Sequence, residues 1–342
     1  MSQYGLIADI GGTNARFALA PIKTFSGANG LSLSDDDLVA VKALNGADYT
    51  TIGEAVQAYL SGPASDYDRP DHAVMAIACP TDQDQITMTN HTWSFKVSEL
   101  KQELGLASLT FINDYNALAN AIPHLGEAGL IKVGRGEAVP GWPMAVTGPG
   151  TGLGLAGLAF GDAGPVTLET EGGHAHFAPT DETEIGILQY LLKKHDRVSN
   201  ERLISGMGLE NIYEALCSLR GQVAQNLRAP DISRQALEKT DVVCEEALAR
   251  FCAILGNYAG DVALTLGAKG GVYITGGIVP RFIEYFQASQ FRSRFEAKAR
   301  LRGFVENIPT YVVIAKQPGL LGSAAVLNHR LHAEQLALQA QV

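Results

Sequence analysis

Two threonine-bearing glycine turns hold the clearest chemistry in this chain, Asp9-Ile-Gly-Gly-Thr-Asn-Ala-Arg16 and Gly148-Pro-Gly-Thr-Gly-Leu-Gly154. Each follows a short apolar run (Leu6-Ile7-Ala8, then Met144-Ala145-Val146) and leads into another (Phe17–Ala20, then Leu155–Ala159). Each therefore reads as strand, glycine turn, strand. Glycines let successive amide N–H groups turn inward as an anion-binding nest, and threonine adds a hydroxyl. One such turn alone reads as a plain hairpin. Two of them, the first with an aspartate at the strand end, read as a grip on one polyphosphate from two sides. No Gly-Lys-Ser/Thr occurs, so there is no P-loop. A dinucleotide-binding turn would open a helix, whereas Asn14–Leu19 continues as a strand.

Other groups could do acid–base or hydroxyl chemistry. Asn113-Asp114 directly follows the apolar strand Leu109–Ile112, and an aspartate at a strand end can accept the proton of a hydroxyl nucleophile. The same pair reads equally well as the cap of a helix starting near Asn116. Glu171-Gly172-Gly173-His174 is either a turn with a solvated acid or a set of donors and acceptors for vicinal hydroxyls. Glu201, within a helical-looking stretch, reads by itself as a solvated face residue. Arg16 is a phosphate clamp or the partner of an acid in its own sheet.

The elements that must position these groups alternate between strand and helix. Residues 21–50 read as a variable loop, and Thr51–Leu60 as a helix with Asp48 and Thr50 as cap candidates. Ala73–Ala78 is a buried strand stopped by Pro80. Ser98–Leu104 is a short helix, and residues 144–177 are strand-rich. Leu248, Phe251, Ile254, Leu255, Tyr258, Val262 and Leu266 mark a long amphipathic helix. Val272–Thr275 is a strand ending at Gly276-Gly277. Tyr311–Ala315 is the last strand, and Gly319-Leu-Leu-Gly322 precedes a closing helix. One hairpin in each half implies two halves of related design, with the ligand expected in a cleft between them.

Composition narrows the class. With 342 residues the chain exceeds the size of a single core, so two domains are expected. Hydrophobic content of 46% with 18% charged residues fits a folded enzyme. A net charge of −10 with no long basic run excludes nucleic acid and anionic membranes as expected partners. Cys79, Cys217, Cys244 and Cys252 are scattered and read as reduced thiols. With no leader-like or membrane-spanning run, a cytoplasmic location is expected. The sequon Asn90-His91-Thr92 then carries no glycan.

Taken in order, Asp9–Arg16, Phe111-Ile-Asn-Asp114, Gly148–Gly154, Glu171-Gly-Gly-His174 and Gly276-Gly-Ile-Val-Pro280 resemble the bacterial glucokinases, in the hexokinase branch of the actin-like ATPase superfamily. Thr89-Asn-His-Thr-Trp93, Ser205-Gly206 and Pro318-Gly-Leu-Leu-Gly322 fit the same pattern, which runs from residue 5 to about residue 325. The resemblance implies an α/β, two-domain actin-like (ribonuclease H-like) fold, with residues 1–124 plus 315–342 in a small domain and 125–314 in a large one. It implies ATP-dependent phosphorylation of glucose in a homodimer. It places Ala8, Asp9, Ile10, Gly11, Gly12, Thr13, Thr151 and Gly152 at the ATP phosphates and Gly276 and Gly277 under the adenosine. Asp9 would place Mg²⁺ through water. Asn113, Asp114, Glu171, His174 and Glu201 would surround glucose, with Asp114 as the general base. A sister group of sugar kinases carries a zinc-binding cysteine cluster after the equivalent histidine. Here Ala175-His176-Phe177-Ala178 follows, which argues against zinc.

The alternatives are a kinase of another hexose, such as fructose or mannose, and a non-catalytic sugar-binding regulator. Such regulators carry an N-terminal DNA-binding domain, for which no room is expected ahead of Asp9.

Overall fold

The computed structural model describes residues 3–23, 31–88, 91–161 and 164–340. Thr89, Asn90 and residues 24–30 of the stretch read as a variable loop lie outside these residues. The chain divides into two compact units, one of residues 1–129, 161–167 and 315–342, the other of 130–160 and 168–314. The expected mixed α/β class is what is found.

The first unit is built on the sheet β3-β2-β1-β4-β7, comprising β1 (Tyr4–Ile10), β2 (Asn14–Pro21), β3 (Val39–Asn45), β4 (His72–Ile77) and β7 (Ser108–Asn113). β1, β2 and β3 are antiparallel, and β4 and β7 join in parallel. β5 (Gln85–Thr87) and β6 (Ser94–Lys96) form a separate hairpin. Helices α1 (Ile52–Ser61), α2 (Val97–Leu104) and α3 (Asp114–Ala121) connect the strands, and the C-terminal helix runs from Pro318 to Gln339. Alternation along β1 sends Leu6, Ala8 and Ile10 into one core with Phe17, Tyr59 and Met75. Ile7 goes to the opposite face, where Leu320, Leu321 and Ala324 of the C-terminal helix cover it. Burying each leucine there contributes about 1.5–3 kcal/mol.

The second sheet has the order β11-β10-β9-β12-β13-β8, from β8 (Leu130–Val133), β9 (Met144–Pro149), β10 (Leu153–Gly161), β11 (Gly164–Thr170), β12 (Val272–Ile274) and β13 (Thr310–Val313). Its first five strands repeat the plan of the first sheet: an antiparallel hairpin whose leading strand, β9, also pairs in parallel with the next. The helices α4 (Glu182–Leu192), α5 (Gly206–Leu219), α6 (Ala229–Glu238) and α7 (Val242–Leu266) supply most of the second core. Gly267, at φ +59°, ends α7 in the left-handed conformation. Glu184 is buried at the start of α4, where Thr180, Arg250 and Arg294 partner it.

Several elements differ from the sequence reading. β3 was not expected. It is half-exposed, so its alternation does not stand out from the polar residues around it. Thr51 caps α1, not Asp48 or Thr50, and forms a capping box with Glu54. α3 begins at Asp114 rather than near Asn116, with Asn113 as its cap. Residues 200–202 form a single 3₁₀ turn rather than part of a helix. Gly319–Gly322 lies inside the C-terminal helix, and a Cβ on Gly322 would collide with the carbonyl of Ala117. Among the described residues no helix is long and apolar enough to cross a membrane.

Candidate active site

In the first unit the parallel register Ile10↔Ile77↔Asn113 brings the carboxyl ends of β1, β4 and β7 to one sheet edge. Ligands of open α/β sheets gather at such edges. The turn Gly11–Thr13 leaves β1 there, closed by the Gly11 N–H donating to Asn14 O at 3.0 Å. The side chains of Ala8 and Ile10 are buried in the core, so only their backbones face this edge's chemistry.

Asp9 pairs across the hairpin with Arg16, Nη1 to Oδ2 at 3.5 Å, which settles Arg16 as the partner of an acid in its own sheet. The start of the C-terminal helix lies against the same carboxylate: a Cβ on Gly319 would stand 2.8 Å from Asp9 Oδ2. A helix N-terminus favours a negative charge beside it. Burial nevertheless pushes the Asp9 carboxyl above its ordinary value, and Arg16 offsets only part of that.

Asn113 and Asp114 stand at the end of β7. Both side chains accept the Tyr115 N–H, Asn113 Oδ1 at 2.9 Å and Asp114 Oδ1 at 3.0 Å. The cap is thus real, and Asn113 supplies it. Burial pushes the Asp114 carboxyl up to about 6, the Tyr115 N–H opposes this, and the charge of Asp9 adds to it. Cys79, buried just past β4, has its thiol raised by burial and by Asp114. The sequence reading took Cys79 as one of four reduced thiols and gave it no place beside Asp114. Its one signal was the halt of an apolar strand at Cys79-Pro80.

In the second unit the turn after β9 is held from three sides. Within it, the Gly150 N–H donates to Gly152 O at 2.8 Å. From α5, the Gly206 N–H donates to Gly150 O at 3.0 Å, while Ser205 caps the helix through Gly208 N. From the 3₁₀ turn 200–202, Glu201 Oε2 accepts the Leu153 N–H at 3.0 Å. Gly276, at φ +87°, follows β12 on the fourth flank, and a Cβ on it would collide with Pro149 O. The two glycine motifs Gly148–Gly154 and Gly276-Gly277 are therefore packed backbone to backbone.

Glu171, His174 and Glu201 come together beside this turn. His174 Nε2 lies 3.9 Å from Glu171 Oε2, and Nδ1 lies 3.8 Å from Glu201 Oε1. Arg197, which the sequence reading passed over, donates to His174 O at 2.6 Å. Gly173 is pressed against the turn, where a Cβ would collide with Leu153 O. Side-chain exposure falls from 82% at Glu171 to 50% at His174 and 30% at Glu201. Each unit thus gathers its own set: a glycine turn with Asp9, Asn113 and Asp114 in the first, and a glycine turn with Glu171, His174, Glu201, Gly276 and Gly277 in the second. Either set offers amide donors for an anion beside groups that can hold or deprotonate a hydroxyl.

Residues 6–330 match the family model described as Glucokinase. A glucokinase of Salmonella arizonae is 44% identical over 331 residues, covering 97% of this chain and 99% of that one. The crystal structure of a glucokinase from an Antarctic psychrotroph superposes with a TM-score of 0.86 at 36% identity, covering 96% and 99% of the two chains. A ROK-family glucokinase from Streptomyces griseus, solved with glucose and AMPPNP, shares the fold at a TM-score of 0.60 and 16% identity, covering 95% and 99%.

Proposed function

The chain belongs to the glucokinase family, and from that premise we propose that it transfers the terminal phosphoryl group of ATP to the 6-hydroxyl of D-glucose, with Asp114 as general base. It is an ATP-dependent glucose kinase with the two-domain actin-like ATPase fold. The observation that supports Asp114 most is its setting. It is a carboxylate at the carboxyl end of the parallel strands, on the edge that carries the first glycine turn, and burial raises it to about 6. A base whose pKa lies near the working pH is both largely ionised and basic enough to accept a proton.

The other residues take their roles around that step. Amides of Gly12 and Thr13 and of Thr151 and Gly152 hold the phosphates, Gly11 closes the first turn behind them through Asn14 O, and Gly276 and Gly277 lie under the adenosine. Asn113, Glu171, His174 and Glu201 bind and orient the sugar, so that its 6-hydroxyl gives up its proton to Asp114. Phosphoryl transfer depends chiefly on this positioning and on charge stabilisation.

Mg²⁺ fits the donors present, because it is commonly held by one or two carboxylates plus phosphate oxygens and water, and Asp9 lies close enough to Asp114 to raise it. When bound, the ion would neutralise phosphate charge, with Asp9 holding it through water. A coupled assay with ATP and glucose tests the reading. Turnover that a chelator abolishes and Mg²⁺ restores is expected. A folded protein without turnover on glucose would reject it.

Gly173→Ala should lower kcat/KM by about 10²-fold, since a shift near 1 Å in a positioning group can cost that much, and the new Cβ must displace Leu153. Steady-state kinetics on the folded variant check this. We also propose a cytoplasmic homodimer, the two-fold dimer being the commonest assembly. Light scattering at micromolar concentration should give twice the 36.3 kDa chain mass, and a monomer would refute it.

A further inference from the structure

Glu201 uses its two carboxylate oxygens in different directions. Oε2 accepts the Leu153 N–H at 3.0 Å, inside the second glycine turn. The same oxygen fills the space beside Gly152, where a Cβ would stand 2.6 Å from it. Oε1 faces His174 Nδ1 at 3.8 Å, on the side of the hydroxyl-binding cluster. The residue itself is held in place: Ser205 Oγ donates to Glu201 O at 2.9 Å, and the Arg202 and Leu203 amides close the 3₁₀ turn around it.

The chemistry of the turn makes the contact consequential. An amide that already donates to a carboxylate is not offered to a phosphate, so Leu153 is not part of the nest. The amides of Thr151 and Gly152 are outside the turn's internal hydrogen bonds. Their direction depends on how the residues on either side are held: Gly150 through Gly152 O and Gly206, and Leu153 through Glu201. Without that acceptor, one anchor of a glycine-rich segment is lost and its amides can reorient.

We propose that Glu201 is a positioning residue for the phosphate-binding turn as well as a member of the sugar cluster, so that one carboxylate sets the nucleotide donors and the hydroxyl partners together. The inference rests on the kinase reading above. It assigns to Glu201 a role in nucleotide binding that operates with no sugar present.

The test is the affinity for AMPPNP with Mg²⁺, measured by calorimetry without sugar, in the full-length protein and its variants. Glu201→Ala should weaken binding about fivefold or more, the worth of one hydrogen bond of about 1 kcal/mol. Glu201→Gln keeps an oxygen acceptor at the same reach and should restore nearly wild-type affinity. Glu201→Asp keeps the charge but withdraws the acceptor by one methylene, and should bind as weakly as alanine. Dependence on reach rather than charge separates positioning from a field effect. Glu171→Ala, which touches His174 but not the turn, should leave nucleotide affinity unchanged while weakening glucose.

Wild-type nucleotide affinity in folded Glu201→Ala and Glu201→Asp, with glucose binding impaired, would overturn the inference and leave the kinase reading standing. A wild-type protein that bound no nucleotide would overturn both. Should Glu201→Ala not fold, the Gln and Asp pair decides, with exchange protection of the Leu153 amide, expected to persist in Gln and be lost in Asp.

Discussion

Asp114→Ala is expected to lower kcat with glucose by about 10²- to 10⁴-fold, the contribution usual for a positioned general base. The geometry separates this effect from a structural one. Asn113 Oδ1 and Asp114 Oδ1 both accept the Tyr115 N–H. Removing Asp114 therefore leaves α3 capped, and thermal stability should change little. If Asp114 served only the helix, its loss would cost about 1 kcal/mol of stability and leave turnover intact. Glucose affinity, read separately by calorimetry, should fall by less than kcat, because the proton transfer occurs only in the reaction. A folded Asp114→Ala enzyme with near-normal turnover would remove Asp114 from the mechanism.

Sugar choice should be similarly sharp. A site that hydrogen-bonds hydroxyls rejects analogues whose hydroxyls point elsewhere by up to about 10⁴-fold when its own polar groups are then left buried and unpaired. Exposure shows where that penalty can arise. Glu171 is 82% exposed and stays solvated when no hydroxyl meets it, whereas Glu201 is 30% exposed and Leu153 satisfies only its Oε2, which leaves Oε1 dependent on the sugar. Discrimination should therefore rest on Asp114 and Glu201 more than on Glu171. Glucose should exceed galactose and fructose in kcat/KM by several orders of magnitude. Glu171→Ala should erode that preference less than Glu201→Gln does. Equal kcat/KM for glucose and fructose would make the protein a general hexose kinase.

Much of this arrangement could be read from the residues. Glycine turns flanked by apolar runs specify hairpins locally, so both hairpins and the duplicated strand plan were legible. Asp114 was legible as a group at a strand end, and the structure shows that cap and candidate base are divided between two adjacent residues. What escaped depends on long-range contact. Glu201 looked like a solvated helix residue because nothing near residue 201 reveals a hydrogen bond to Leu153, 48 residues away. Gly319 and Gly322 were read as preceding the closing helix rather than lying in it, because glycine marks helix ends as well as close approach. Here the first makes room for Asp9 and the second for the backbone of α3. Arg197 carries no local pattern and Cys79 only the strand stop at Cys79-Pro80, and only folding puts them beside His174 and Asp114.

The pH dependence of kcat/KM for glucose at saturating MgATP tests Asp114 as the base most directly. The base must be ionised, and burial has raised it from the ordinary carboxylate range near 4 to about 6. Activity should be full above that value and fall tenfold per unit below it. The decisive comparison is with Asp114→Asn, whose residual activity should lose the acid limb near pH 6. The same limb persisting in the folded Asn variant would assign the titration to another group and contradict Asp114 as the base.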